Sequence, residues 1–172
     1  AKARGMEAWI YDESGWPSGY ADGKVTEANP YFSAHWITLE DRDTATPRAV
    51  VHTSPYYIDV LSPDAVALFL KFTHEAYLER FGDSFGDAVK GFFTDEPRIF
   101  WNNEGDLPWS PILPEEFRKA YGYALEPLLP LLFLDRPGSA AVRYDFWKLV
   151  SRLFVGSFIR QIGDWCEAHG CQ

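Results

Sequence analysis

Two apolar stretches of this chain each end on a pair of adjacent acids, and no other feature restricts the available folds as much. Gly91 to Pro97 reads GFFTDEP, and Ala8 to Gly19 reads AWIYDESGWPSG. Strands that deliver carboxylates at their carboxyl ends, stopped by a proline or a Gly-rich loop, are the pattern of α/β proteins. Such proteins gather their sites where parallel strands end. The segment before GFFTDEP agrees. Ser62 suits a helix N-cap, Pro63 the first helical position, and Asp64 the positive end of the helix dipole. Leu68, Phe69, Phe72 and Ala76 keep helical spacing and Gly82 is a natural stop. The spacing therefore predicts a helix over 63–81 leading through a short loop to a strand over 88–94.

The rest of the chain fills in around this unit. Residues 7–11 read as a strand and 12–24 as a loop rich in Gly, Ser and Pro. Residues 35–39 and 48–52 read as short strands about a polar turn. A long loop is expected over 97–113. Pro114 opens a short helix that Gly122 closes, and Ser139 opens a long helix to about His169, capped by Gly170. Val142, Phe146, Leu149, Leu153, Ile162 and Trp165 give that helix an apolar stripe. The expected architecture is α/β, an incomplete (β/α)8 TIM-barrel segment with long loops at the carboxyl ends of its strands. A closed barrel takes about 250 residues, so 1–172 is read as a single fragment of a larger catalytic domain. A small complete α/β domain is the alternative.

Composition narrows the partners. The formal net charge of −9 argues against nucleic acid, which demands patches of Lys and Arg, and against an anionic membrane surface. A neutral substrate or a bound cation fits that charge. The apolar run Leu128–Leu134 is too short to cross a membrane and contains Pro130. Aromatic residues make up 17% of the chain, which fits either a large aromatic core or a sugar-binding cleft in which rings stack on pyranose faces. Cys166 and Cys171 match no zinc spacing and are expected as free thiols.

The acids are the candidates for chemistry. Successive residues of a strand project to opposite sides, so one of Asp95 and Glu96 points into a barrel mouth and the other is tied to loop backbone or a cation. A glycosidase requires a protonated carboxylic acid beside the leaving-group oxygen and a second carboxylate across the sugar. Glu96 suits the acid role, because partial burial near Phe92, Phe93, Phe100 and Trp101 would raise its pKa. The alternative is that Asp95 and Glu96 cap the loop. Asp12 and Glu13 could bind sugar hydroxyls or a hard cation such as Ca2+, with Trp16 as a stacking face, or could form a surface turn. Asp59 reads as a turn cap near the helix start. His74-Glu75 begins a HExxH pattern, but Leu78 stands where the second histidine would be, so a zinc protease site is absent. No GxxxxGK[ST] phosphate-loop motif occurs.

In order along the chain, WIYDESGWPSG, YYIDVLSPDAVALFLKFTHEAYLERFG, GFFTDEP, FRKAYGY and YDFWKLVSRLFVGSFIRQIGDWCEAHG resemble the bacterial α-L-rhamnosidases of glycoside hydrolase family 106 and their unassigned relatives. The resemblance implies a (β/α)8 catalytic domain of a secreted or periplasmic enzyme that cleaves terminal α-L-rhamnosides with two glutamates, calcium assisting sugar binding. It implies Glu96 as the general acid, with Asp12, Glu13, Trp16, Asp95 and Trp101 lining the sugar subsite or its cation. The carbohydrate and the remaining part of the barrel are the implied partners. The second catalytic glutamate lies beyond these residues, so the isolated chain is expected to hydrolyse nothing. Two other readings stand beside it: a non-catalytic carbohydrate-binding module using Trp16, Trp101 and Trp109, and another barrel glycosidase such as a β-galactosidase-like enzyme.

Overall fold

Strand β1 (Ala8–Tyr11) turns Ala8 and Ile10 into the core and leaves Trp9 and Tyr11 outward, the alternation expected of a pleated strand with one covered face. The computed structural model describes residues 1–12, 14–99 and 105–172. After β1 come α1 (Lys24–Ala28), β2 (Ser33–Glu40) and β3 (Arg48–Ile58), then α2 (Pro63–Phe72), α3 (His74–Phe81) and β4 (Val89–Phe93). The chain continues through β5 (Leu107–Trp109), α4 (Leu113–Tyr121), α5 (Leu129–Phe133) and α6 (Ser139–Phe154). A π-helical segment, Val155–Arg160, joins α6 to α7 (Gln161–Ala168).

Among the described residues the strands form two small sheets. β1 and β4 pair in parallel, with Trp9 opposite Gly91 and Tyr11 opposite Phe93. β2 lies between β3 and β5, antiparallel to both. Gln172 pairs with the other edge of β4: its N–H donates to the Lys90 carbonyl (2.8 Å) and its carbonyl accepts from the Phe92 N–H (2.9 Å).

This arrangement corrects the expected TIM-barrel segment. The expectation of short strands over 35–39 and 48–52 becomes one long antiparallel hairpin, which recruits β5 from the stretch expected as structureless loop. The molecule is thus a mixed α/β domain built on a two-stranded and a three-stranded sheet. The outward face of β1 and β4 shows the same thing. A closed barrel fills that face with packed side chains, whereas here Trp9 is 53% and Phe93 54% exposed.

Local chemistry explains where the helices begin and end. Ser62 Oγ accepts from the Ala65 N–H, and Pro63 follows it. The helix expected over 63–81 breaks at Thr73, whose φ of −111° and ψ of −78° depart from helical values and whose hydroxyl donates to the Phe69 carbonyl. Gly122 closes α4 in the left-handed region at φ +79°.

Two apolar clusters hold these elements together. The first packs Tyr57, Val66, Phe69, Phe92, Phe158 and Ile162 between the β1–β4 sheet and helices α2 and α7. The second packs Ile37, Leu61, Leu113, Phe117, Phe146 and Leu149 between the three-stranded sheet and helices α4 to α6. Ile99 and Phe154 touch both. Much of the aromatic content is therefore core: Tyr57, Phe69, Phe117, Phe146 and Phe158 are fully buried. His74 belongs to the first cluster, stacked on Phe92 with ring centroids 4.0 Å apart. Burial pushes its pKa down to about 3, so the ring is neutral. No helix among the described residues is long and apolar enough to cross a membrane.

Candidate functional site

The two sequence blocks that end on acids meet at one end of the β1–β4 sheet. Parallel pairing brings Asp12 and Thr94 side by side, each just past the end of its strand, and the Asp12 N–H donates to the Phe93 carbonyl (3.2 Å). Thr94 Oγ1 donates to Asp12 Oδ2 (2.7 Å), and Ser18 Oγ donates to Asp12 Oδ1 (2.6 Å). Ser18 also ties the loop to the second strand end: its Oγ accepts from the Asp95 N–H (2.8 Å), and its N–H donates to the Asp95 carbonyl (3.0 Å). The Tyr57 hydroxyl, from β3, donates to the Ser18 carbonyl (2.6 Å) and accepts from the Arg98 N–H (2.8 Å). Gly19 permits this approach. It sits at φ +104°, and a Cβ there would stand 3.0 Å from the Tyr57 oxygen.

Asp12 is the closed centre of this network. It is fully buried with both oxygens engaged, and burial raises its pKa against the opposing pull of the Ser18 and Thr94 hydroxyls. It orients the two strand ends. Asp95 lies on the open face, where its Oδ2 accepts from the Tyr11 hydroxyl (3.0 Å). The Tyr11 and Phe93 rings lie 5.5 Å apart on that face. Glu96 is exposed and holds φ +45°, in the left-handed region. That conformation is uncommon for any non-glycine residue, and the following Pro97 further restricts it. Strain of this kind costs roughly 1–3 kcal/mol and concentrates at functional positions. The Arg98 guanidinium lies 4.2 Å over the Trp16 ring, which is itself 49% exposed.

The structure thus brings Asp12, Trp16, Asp95 and Glu96 to one sheet end. Glu13 and Trp101 lie outside the described residues. Ser18, Thr94, Tyr57, Tyr11 and Arg98 complete the cluster without having been singled out. Ser18 and Thr94 stand inside the two acid-ended blocks and could have been read as hydroxyl partners for the acids. Tyr57 and Arg98 carry no signal of that kind in the sequence. Asp59, expected as a turn cap, lies away from this cluster. It accepts from the Leu61 N–H and the Ser110 hydroxyl, and burial pushes its pKa up to about 7.

The geometry overturns the glycosidase reading. The acid role required Glu96 among aromatic rings inside a barrel mouth, but Glu96 is exposed on a two-stranded sheet. Among the described residues no acid/base pair is evident, since Asp12 is sealed by its own hydroxyl donors and Asp95 is bound to Tyr11. The rhamnosidase assignment, and the β-galactosidase-like alternative on the same barrel, fall with that architecture. The carbohydrate partner and the non-catalytic sugar-binding module fall too. The rings stand on an open sheet face rather than in a cleft, Arg98 lies over Trp16, and Trp109 is buried in the second core. The rest of a barrel falls as a partner for the same reason. Among the described residues, no three His, Cys, Asp or Glu side chains converge to hold a metal ion. Compared with known protein families, curated proteins and solved structures, the chain shows no significant match to any of them.

Proposed function

We propose that this chain is a binding domain whose site is the open rim at the carboxyl ends of β1 and β4, and that the rim takes a cationic group, a guanidinium or an ammonium. One observation carries this reading: Tyr11, Phe93 and the Asp95 carboxylate share one exposed face, in contact through the Tyr11–Asp95 hydrogen bond and the paired rings. Ring faces are negative and attract cations, and an adjacent carboxylate adds charge-assisted hydrogen bonds. The guanidinium resting over Trp16 at the same sheet end is an internal example of this chemistry. Exposed Glu96 adds a second carboxylate, and the net charge of −9 draws cations toward the surface. The kinship suggested by the ordered sequence blocks is a separate proposal that rests on those blocks alone. Neither fold nor activity is carried over with it.

The test is titration of the chain with argininamide, followed by tryptophan fluorescence and calorimetry, with acetamide as the neutral control. Saturable binding that weakens about tenfold in Asp95→Asn supports the reading, that factor being the loss of one charge-assisted bond. Equal affinity of the native chain and Asp95→Asn, or no difference between argininamide and acetamide, overturns it.

A further inference from the structure

A cavity opens between the 14–24 segment and helices α2 and α3. Its volume is about 260 Å³. Lys24, the first residue of α1, and Arg80, in the last turn of α3, both line it. We infer that this cavity binds a small organic anion, a carboxylate or phosphate group carried on a short apolar body.

The cations are the first argument. Lys24 and Arg80 are exposed and come from elements far apart in the chain, yet they converge on one cavity. The ion pairs among the described residues engage Lys2, Arg48, Lys119 and Arg143, and neither Lys24 nor Arg80 takes part in one. In a chain with 25 acids against 16 Lys and Arg, two cations lining one cavity and in no ion pair among the described residues leave positive potential for an outside counter-ion. Helix electrostatics account for Arg80 at the end of α3 but not for Lys24, since the start of a helix disfavours a cation.

The walls supply the second argument. Ser14 and Tyr77 line the cavity beside the two cations, together with the apolar Phe72 and Ala76. A few polar groups converging over an apolar lining are what small-molecule sites present, and this cavity is near the lower end of their size range. The Asp12 carboxyl also borders the cavity, but it does not act as a like-charge barrier. Both its oxygens face the Ser18 and Thr94 hydroxyls and it has no exposed surface.

Calorimetric titration at low ionic strength tests the inference, with phenyl phosphate, benzoate and inorganic phosphate as probes. One-to-one binding of phenyl phosphate or benzoate is expected, with inorganic phosphate weaker because it leaves the apolar lining uncovered. The preferred aromatic probe decides between phosphate and carboxylate. Lys24→Gln and Arg80→Gln are each expected to lower affinity about tenfold, and Lys24→Arg to retain it. Both side chains are exposed, so unchanged thermal unfolding of the variants shows that the fold is intact. No saturable binding of any probe, equal affinity in the Gln variants, or inorganic phosphate binding as tightly as phenyl phosphate would each overturn the site. The strand-end rim is probed with cations and shares neither Lys24 nor Arg80, so failure here leaves that reading standing.

Discussion

The Thr94 hydroxyl donates to Asp12 Oδ2 at 2.7 Å across the ends of two parallel strands, joining residues 82 positions apart in the chain. With Ser18 on the other oxygen, this bond lets a buried carboxylate hold two strand ends and a loop in register. Thr94→Val leaves one Asp12 oxygen unsatisfied in the interior. A loss of about 1–3 kcal/mol in urea unfolding is expected, the cost of orphaning a buried polar group. A change below about 0.5 kcal/mol would show that water replaces the hydroxyl.

Glu96 tests whether strain is held at the rim. Glycine tolerates φ +45° without the Cβ penalty. Glu96→Gly is therefore expected to raise stability by up to about 1 kcal/mol while weakening argininamide binding. A destabilised variant would show that the Glu96 side chain contributes more to the fold than its backbone costs.

Gly91 faces Trp9 across the parallel pair, and a Cβ there would overlap the Trp9 indole and the Gln172 carbonyl. Overpacking of this kind costs about 1–3 kcal/mol. Gly91→Ala should lower the thermal midpoint and increase hydrogen exchange at Phe92, whose amide bonds to Gln172. Unchanged Phe92 protection would mean that the edge pairing absorbs the methyl group.

Two buried groups give opposite pH dependences. Asp59 rises from its ordinary 3.8 to about 7, so between those values the folded chain holds a proton that the unfolded chain has released, and stability falls as pH rises. His74 drops from 6.5 to about 3, so over that window the unfolded chain holds the extra proton, and stability falls as pH drops. The two slopes oppose each other between about pH 4 and 6.5. Asp12, also raised, adds to the Asp59 direction. Asp59→Asn should therefore tilt the urea-unfolding profile toward greater stability with rising pH over that range. The same profile in native chain and variant would show that Asp59 does not retain its proton.

Cys166 and Cys171 are buried and unpaired with each other, and burial pushes the Cys166 thiol up to about 11. Thiolate is the reactive form. Alkylation by iodoacetamide at pH 8 should be slow in the folded chain and accelerate sharply in denaturant. Equal rates would indicate local opening around α7.

Features decided by short-range chemistry were legible in the sequence. Ser62 and Pro63 start α2, Gly122 stops α4, and the apolar runs before Asp12 and Thr94 are strands. Capping needs atoms within one helical turn, and strand alternation needs only neighbours. The break at Thr73 was hidden because the apolar spacing continues through it, while the interruption arises from a single backbone conformation.

The sequence by itself determined that two acid-ended strands exist, where α2, α4 and α6 begin, where α3, α4 and α7 end, and that the chain carries a net negative charge. Only the tertiary structure decided that β1 pairs with β4, that β2 and β3 form a hairpin with β5, and that Asp12 is sealed while Asp95 and Glu96 stay at the surface. Pairing and burial depend on contacts between segments tens of residues apart, such as Thr94 with Asp12 and Tyr57 with Ser18. Local periodicity shows which face of a strand is apolar, but it does not specify which partner strand lies beside it.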